Sequence, residues 1–134
     1  ALRLKRHGGA ALIIDYGHAK SAVGDTLQAL RAHKFVDAFE TPGEADLTAH
    51  VDFEALALAA KAGGALTHGP VEQGSFLRAL GIRERAEALK AKATPEQARD
   101  IDVAERRLTA RDEMGSLFKV MALTAPDAPD LAGF

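Results

Sequence analysis

The sequence predicts an α/β fold, in which helices connect the strands of a largely parallel sheet. Its best strand is Ala10–Ile14, a run of five consecutive apolar residues. Such a run without alternation is typical of a strand that is covered on both faces. The elements follow in the order strand, helix, strand, two or three helices, strand, which favours α/β proteins. We therefore expect the first two strands to be parallel, with a right-handed crossover between them.

Composition limits the classes of protein and partner. The 134 residues fit one domain and can bury a core without a disulfide or metal. Hydrophobic residues make up 47% but aromatic residues only 5%, so we expect a thin core. A net charge of −2 gives no general attraction to nucleic acid, and no apolar run is long enough for membrane insertion. The absence of cysteine excludes disulfides and thiolate catalysis.

The first part of the chain surrounds this strand with turn signals. Leu2–His7 is a basic lead-in, and Gly8-Gly9 is a turn. The chain does not begin with methionine and its best strand starts within a dozen residues, so we expect a portion of a larger polypeptide. Asp25–Gln28 is similar to a helix capping box, but glycines and a proline surround it. A short helix and an extended segment both remain open there.

The middle of the chain predicts a helix and a second strand. The helix spans Phe53–Ala62, with Asp52 as N-cap and Gly63-Gly64 as its end. A weaker strand follows from Ala65 to Gly69, and its extension to Val71 is left open.

The last part of the chain predicts three helices and a third strand. Ser75 is expected to cap a short helix that ends at Gly81. A charged, alanine-rich helix then runs from Ile82 to about Ala93. The sequence Thr94-Pro95-Glu96-Gln97 predicts the start of another helix, which runs to about Glu113. Its apolar stripe consists of Ala98, Ile101, Ala104 and Leu108. The third strand is Leu117–Leu123.

Polar residues at the end of the first strand are the first candidates for a functional site. The strand stops at Asp15-Tyr16-Gly17-His18, and ligands of open α/β sheets bind beyond the carboxyl ends of strands. Asp15 is either a base or substrate-orienting carboxylate, or an acid that bonds backbone amides. The predicted topology brings two further polar clusters to the same rim. They are Asp46, Thr48, His50 and Asp52, and His68, Gly69, Pro70, Glu72 and Gln73.

Other kinds of site are disfavoured by spacing. Four histidines lie near acids in the sequence, but no His-Glu-x-x-His, paired-histidine or calcium-loop pattern is present, so no metal site is predicted. Asp52 is explained by its cap position better than by catalysis. The serines lack a nucleophile-elbow sequence. The arginines between Arg99 and Arg111 are either a solvated helix face or a docking surface for an acidic partner.

Several long motifs resemble one family. They are Ala11–His18, Gly24–Ala29, His33–Phe35, Pro42–Phe53, Gly69–Leu77, Leu80–Ile82 and Met114–Val120, which together cover nearly the whole chain. In these motifs the chain resembles the C-terminal part of the MidA-type S-adenosylmethionine-dependent methyltransferases of bacteria and mitochondria.

The resemblance implies a class I, Rossmann-like methyltransferase fold. The strands at Ala10, Ala65 and Leu117 would be its strands five, six and seven, and the seventh would insert antiparallel between the other two. Residues 1–134 would be the C-terminal portion of a single methyltransferase domain whose N-terminal, cofactor-binding half is absent. S-adenosylmethionine would be bound mainly by that half, and no residue here is assigned to the cofactor.

The resemblance also implies methylation of protein arginine. Mitochondrial members act on a 49-kDa-type subunit of respiratory complex I and support its assembly, which places the protein in the mitochondrial matrix of a eukaryote or the cytoplasm of a bacterium. Asp15 and Asp46 would orient the guanidinium as catalytic acids. The substrate side would comprise Tyr16, Gly17, His18, Asp25, Thr26, His33, Thr48, His50 and Gln73. The second hypothesis is a non-catalytic interaction module or assembly factor, because no Gly-x-Gly-x-x-Gly loop is present.

Overall fold

Two β-sheets and six helices make up the computed structural model, which describes all residues from 1 to 134. The helices are α1 (Leu2–His7), α2 (Phe53–Ala62), α3 (Gln73–Ala79), α4 (Ile82–Lys90), α5 (Pro95–Thr109) and α6 (Met114–Leu117). The strands are β1 (Ala10–His18), β2 (Gln28–Arg31), β3 (Lys34–Val36), β4 (Asp46–Thr48), β5 (Val51–Asp52), β6 (Leu66–Glu72) and β7 (Phe118–Thr124). None of the helices is both long and apolar enough to cross a membrane.

The main sheet has the strand order β5-β1-β7-β6. β7 pairs antiparallel with both β1 and β6, so those two strands run in the same direction without being neighbours. The antiparallel insertion of the last strand, which the family resemblance implied, is therefore confirmed. β7 is also the most buried strand, because Val120, Met121 and Thr124 have no exposed surface.

The core lies between the main sheet and α2. Phe53 and Ala60 of α2 pack with Met121 and Leu123 of β7. The predicted bounds of α2 are confirmed, and a carboxylate oxygen of Asp52 accepts the backbone N–H of Ala55 at 2.9 Å. Only 17 of the 134 residues are buried, in agreement with the expected thin core.

Within residues 1–134, β1 packs against the core on one face only, so this chain alone does not supply the expected cover on both faces. Ala11 and Ile13 pack against the core under α2, but Leu12 and Ile14 on the other face are 54% and 46% exposed. Alternate residues of a strand point to opposite faces, so this chain leaves the face of β1 that bears Leu12 and Ile14 about half exposed. The apolar run indicated hydrophobic surroundings, but it contained no information on which segment supplies them.

The segment from 17 to 46, where helix and extended chain both remained open, contains short strands and no helix. β2 pairs antiparallel with β3 and β4 in a sheet of order β3-β2-β4. The capping-box interpretation of Asp25 is wrong, because its side chain accepts the N–H of Leu27 at 2.8 Å in a turn. The β2–β3 turn consists of Ala32 and His33, both left-handed with φ of 49° and 62°. Two such residues form a type I′ hairpin turn.

The helices after β6 differ from expectation mainly at their ends. α3 begins at Gln73, so Ser75 lies inside the helix and is not its cap. The capping box of α5 is confirmed by reciprocal bonds between Thr94 and Gln97, at 3.0 and 3.3 Å. α5 ends at Thr109, because the backbone of Ala110 is extended. The helices α1 and α6 were not predicted.

The predicted apolar stripe of α5 packs against α4. Ile101, Ala104 and Leu108 line a small cavity together with Ile82 and Leu89 of α4. The two helices therefore bury their apolar faces against each other, and their charged residues remain on the outside.

Candidate functional site

The two sheets meet at the carboxyl end of β1. There β5 pairs in parallel with β1, with Gly17 opposite Val51 and His18 opposite Asp52. A Cβ atom at position 17 would overlap the backbone carbonyl of Val51. Glycine at this position therefore permits the close approach that brings the segment from 46 to 52 next to the end of β1.

Four rings form a row along this junction. Phe118 contacts Tyr16 edge-to-face with ring centroids 5.6 Å apart, and Tyr16 contacts His50 in the same way at 5.5 Å. The ring of His50 lies 6.5 Å from that of His18. Thr26 positions His50, because its hydroxyl oxygen accepts the His50 backbone N–H at 3.2 Å. The row thus unites residues that are far apart in the sequence.

Asp52 closes the row next to His18. One carboxylate oxygen accepts the Ala55 N–H, and the other accepts the hydroxyl of Ser21 at 2.7 Å and lies 4.0 Å from the His18 ring nitrogen. The Ala55 N–H, followed by the Ser21 hydroxyl, lowers the pKa of Asp52 below its ordinary value. The interpretation of Asp52 as the N-cap of α2 is therefore confirmed.

A hollow of about 390 Å³ lies between the three-stranded sheet β3-β2-β4, which we call the small sheet, and the row of rings. The strand register places Leu30 opposite both Phe35 and Asp46, and Gln28 opposite Thr48, so these side chains share one face of the small sheet. The facing wall comes from Tyr16, His50 and Leu117. We call this space, with its eight lining residues, the intersheet hollow.

The lining of the intersheet hollow favours a cationic ligand. Asp46 is its only carboxylate, and no lysine or arginine lines it. Phe35 and Tyr16 provide aromatic surface, and aromatic faces attract cations. A carboxylate accepts two parallel N–H bonds from a planar guanidinium. The hollow is therefore chemically suited to a flat cation with an apolar stem.

The sequence predicted four of the lining residues and missed the other four. Tyr16, Asp46, Thr48 and His50 were expected at the site, whereas Gln28, Leu30, Phe35 and Leu117 were not. The only available signal was the two-residue spacing of Gln28 and Leu30. That spacing identifies a shared face only once the segment is known to be a strand.

Asp15 does not line the intersheet hollow. Asp15 directly precedes Tyr16 in β1, so its side chain lies on the opposite face of the strand. Its carboxylate accepts the Tyr16 backbone N–H at 2.8 Å. The backbone-amide contact that the sequence left open for Asp15 is thus present. The register also places Lys119 of β7 directly between Asp15 of β1 and Glu72 of β6.

Other expected site residues lie outside the hollow. Gln73 is buried and donates to the backbone carbonyl of Leu108 at 2.9 Å, which joins α3 to α5. His33 lies in the β2–β3 turn, and Asp25 lies in the turn before β2. The expectation that His68 faces the rim is wrong, because β6 continues four residues further and His68 bonds to Thr124 at 3.0 Å.

The structure offers neither a metal cluster nor a formed cofactor cradle. No group of three or more histidine and carboxylate side chains is close enough to hold a metal ion. Every buried polar side-chain atom already has a hydrogen-bond partner in the chain. The residues present therefore do not by themselves fit the many polar groups of a nucleoside cofactor.

A comparison with protein families gives a direct match. Residues 1–71 match the family described as S-adenosyl-L-methionine-dependent methyltransferase. The chain is 43% identical over 124 residues to the mitochondrial protein arginine methyltransferase NDUFAF7 homologue of Drosophila melanogaster, covering 92% of this chain and 28% of the relative. In a gapped alignment 148 residues long, it is 36% identical to the mitochondrial protein arginine methyltransferase NDUFAF7 of Xenopus tropicalis, and the match covers 100% of this chain and 32% of the relative.

A solved structure shows the same fold. A Burkholderia thailandensis protein, crystallised with S-adenosyl-homocysteine bound, superposes with a TM-score of 0.78 at 33% identity. The match covers 94% of this chain and 34% of that protein, so the chain spans about a third of the length of the proteins it matches. The predicted α/β, Rossmann-like fold is confirmed. The chain belongs to the family of S-adenosyl-L-methionine-dependent methyltransferases.

Proposed function

We propose that residues 1–134 are the C-terminal portion of a single methyltransferase domain, and that the complete protein methylates an arginine of a protein substrate. The observation that carries this proposal is the 43% identity to a protein arginine methyltransferase along 92% of the chain. The chemistry of the intersheet hollow supports it independently, because a lone carboxylate among aromatic rings suits a guanidinium.

In this proposal S-adenosylmethionine is held mainly by the N-terminal half of the domain. The absence of a glycine-rich phosphate or nucleotide loop from this sequence and the lack of a formed cradle support that division. The cofactor supplies the methyl group, which is bonded to a positively charged sulfur. We therefore assign no contact with the cofactor to a residue of this chain.

The role proposed for this chain is to hold and orient the substrate arginine. Asp46 would accept two N–H bonds from the guanidinium and fix its plane, while Tyr16, Thr48 and His50 form the surrounding wall. A fixed orientation removes much of the entropic cost of bringing two reactants together. Asp46 is the acid that the geometry favours. Asp15 would act only if the substrate also reached the opposite face of β1.

The remaining expected residues extend this surface in the proposal. Gly17 and His18 border the end of β1, and Thr26 supports His50. Asp25 and His33 would contact substrate from the turns on either side of β2, and Gln73 would act through the α3–α5 junction.

The proposed substrate is a 49-kDa-type subunit of respiratory complex I, and methylation would support assembly of that complex. The animal relatives carry the name of mitochondrial protein arginine methyltransferases. In a eukaryote the protein would act in the mitochondrial matrix, and in a bacterium it would act in the cytoplasm.

The test uses the full-length protein, labelled S-adenosylmethionine and the substrate subunit. We expect methyl transfer to arginine, located by peptide mass spectrometry, and Asp46→Asn to lower kcat/KM by about 10- to 100-fold through loss of charged hydrogen bonds. Glu40→Gln is the matched control, because this exposed acid does not line the hollow. Binding of the subunit without methylation of any residue would support the interaction-module hypothesis instead.

A further inference from the structure

Phe35 is an exposed aromatic side chain on the wall of the intersheet hollow. It is 73% exposed although it belongs to a strand, and its neighbours Leu30 and Asp46 lie on the same face. Ligand pockets combine an apolar and aromatic lining with a few placed polar groups, and Phe35 and Asp46 supply one of each here. Phe35 belongs to the aromatic lining of the hollow, but it has no specific contact with the guanidinium in the roles proposed so far.

The register fixes the separation of Phe35 and Asp46. Phe35 pairs with Leu30, and Leu30 pairs with Asp46, so the three residues form one line across the small sheet. Neighbouring strands are about 4.8 Å apart, which places the backbones of Phe35 and Asp46 roughly 10 Å apart. Side chains stand roughly perpendicular to a sheet, so Phe35, Leu30 and Asp46 project from the same face with Leu30 in the middle. A guanidinium above Leu30 can lie against the Phe35 ring and direct its N–H groups to the Asp46 carboxylate.

The backbone around Phe35 is held in place by features near the hairpin. The two-residue turn of Ala32 and His33 sets the pairing of β2 with β3. Arg31 donates to Thr41 and to Glu44, both at 3.2 Å, and so ties β2 to the loop before β4. Phe35 is thus presented by a fixed strand while its ring stays free to contact a ligand.

We infer that Phe35 is a substrate-binding residue, which stacks on the guanidinium that Asp46 holds. This inference rests on the proposed function and extends it, because it assigns the preference for arginine to a specific side chain. A guanidinium is planar and stacks well on an aromatic ring, whereas a lysine ammonium is compact and strongly hydrated. Phe35 therefore contributes to the discrimination between arginine and lysine.

The experiment measures kinetics and binding with the full-length protein. Phe35→Leu is expected to raise KM for an arginine-containing substrate peptide roughly 2- to 30-fold, the range of a cation–π contact, while kcat changes less than 2-fold. Phe35→Tyr and Phe35→Trp should retain a KM near that of the unmodified protein. Phe39→Leu is the matched control, because Phe39 is 80% exposed and lies outside the hollow.

A second measurement separates this inference from the proposed function. The affinity of the same peptide, and of one with lysine in place of arginine, is determined by calorimetry in the presence of S-adenosyl-homocysteine. We expect Phe35→Leu to weaken binding of the arginine peptide more than that of the lysine peptide. Equal affinities in the unmodified and Phe35→Leu proteins would overturn the role of Phe35, even if arginine is methylated. The role of Phe35 would also be overturned if Phe35→Leu lowered the melting temperature of the protein but left its affinity for the arginine peptide unchanged.

Discussion

At the scale of single residues, Asp52 performs two tasks through its two carboxylate oxygens. One oxygen caps α2 through the Ala55 N–H, and the other accepts the Ser21 hydroxyl and lies near His18. The cap was predictable because it is local: the acid immediately precedes the helix. The bond to Ser21 spans 31 residues, and no pattern in the sequence could reveal it.

The lowered pKa of Asp52 predicts a dependence of stability on pH. The Ala55 N–H and the Ser21 hydroxyl favour the charged carboxylate in the folded state. Because the folded-state pKa is below the unfolded value of about 3.9, the stabilisation is complete above that value. It is lost as the pH falls through the lower, folded-state pKa.

Two substitutions test this dependence through thermal melts at pH 7 and at acidic pH. Asn is a good N-cap without a titratable proton, so Asp52→Asn should stay close to the unmodified protein at pH 7 and lose less stability in acid. Asp52→Ala should be less stable at both pH values, because it removes the cap. If Asp52→Asn loses as much stability in acid as the unmodified protein, other groups determine the acid sensitivity.

At the scale of elements, local signals predicted helices well and short strands poorly. α2 and the start of α5 were predicted because a cap and a stop lie next to them in the sequence. β3, β4 and β5 have only two or three residues each, and their stability depends on pairing with distant segments. The hollow could not be predicted for the same reason, since Phe35 and Asp46 share a face only through β2.

The β2–β3 turn predicts a stabilising double substitution. Ala32 and His33 are both left-handed, which costs roughly 1 kcal/mol or more for each residue with a Cβ. Asn-Gly is the preferred pair for this turn, and part of the gain is offset by the flexibility of glycine. Ala32→Asn with His33→Gly should therefore stabilise the hairpin by about 1 kcal/mol.

Hydrogen exchange of the β2 and β3 amides measures this effect, because the hairpin can open without global unfolding. Slower exchange confined to these strands is expected. The reversed order, Ala32→Gly with His33→Asn, serves as a comparison with the same composition and should stabilise the hairpin less. Unchanged or faster exchange in the Asn-Gly variant would show that the present turn carries no strain.

At the scale of the whole molecule, the open face of β1 is the feature that the sequence described least well. Leu12 and Ile14 suggested a strand covered on both sides, yet the elements of this chain cover only the side of Ala11 and Ile13. The proposal that the chain is part of a longer methyltransferase domain accounts for this face, because further segments of the domain would pack on it. The chain spans about a third of the length of its relatives.

Ile14→Thr tests that account by comparing two contexts. In residues 1–134 alone the residue is 46% exposed and about half buried, so the substitution should lower the free energy of unfolding by about 1 kcal/mol. In the full-length protein, where the rest of the domain would bury this side chain, Ile14→Thr should lower the free energy of unfolding by roughly 1.5 to 3 kcal/mol. Val103→Thr, at a position of α5 that is 66% exposed, should have a small effect in both contexts. Denaturant titrations of the four variants and of the two unmodified proteins give these values. An equal effect of Ile14→Thr in both contexts would mean that this face of β1 stays open in the full-length protein.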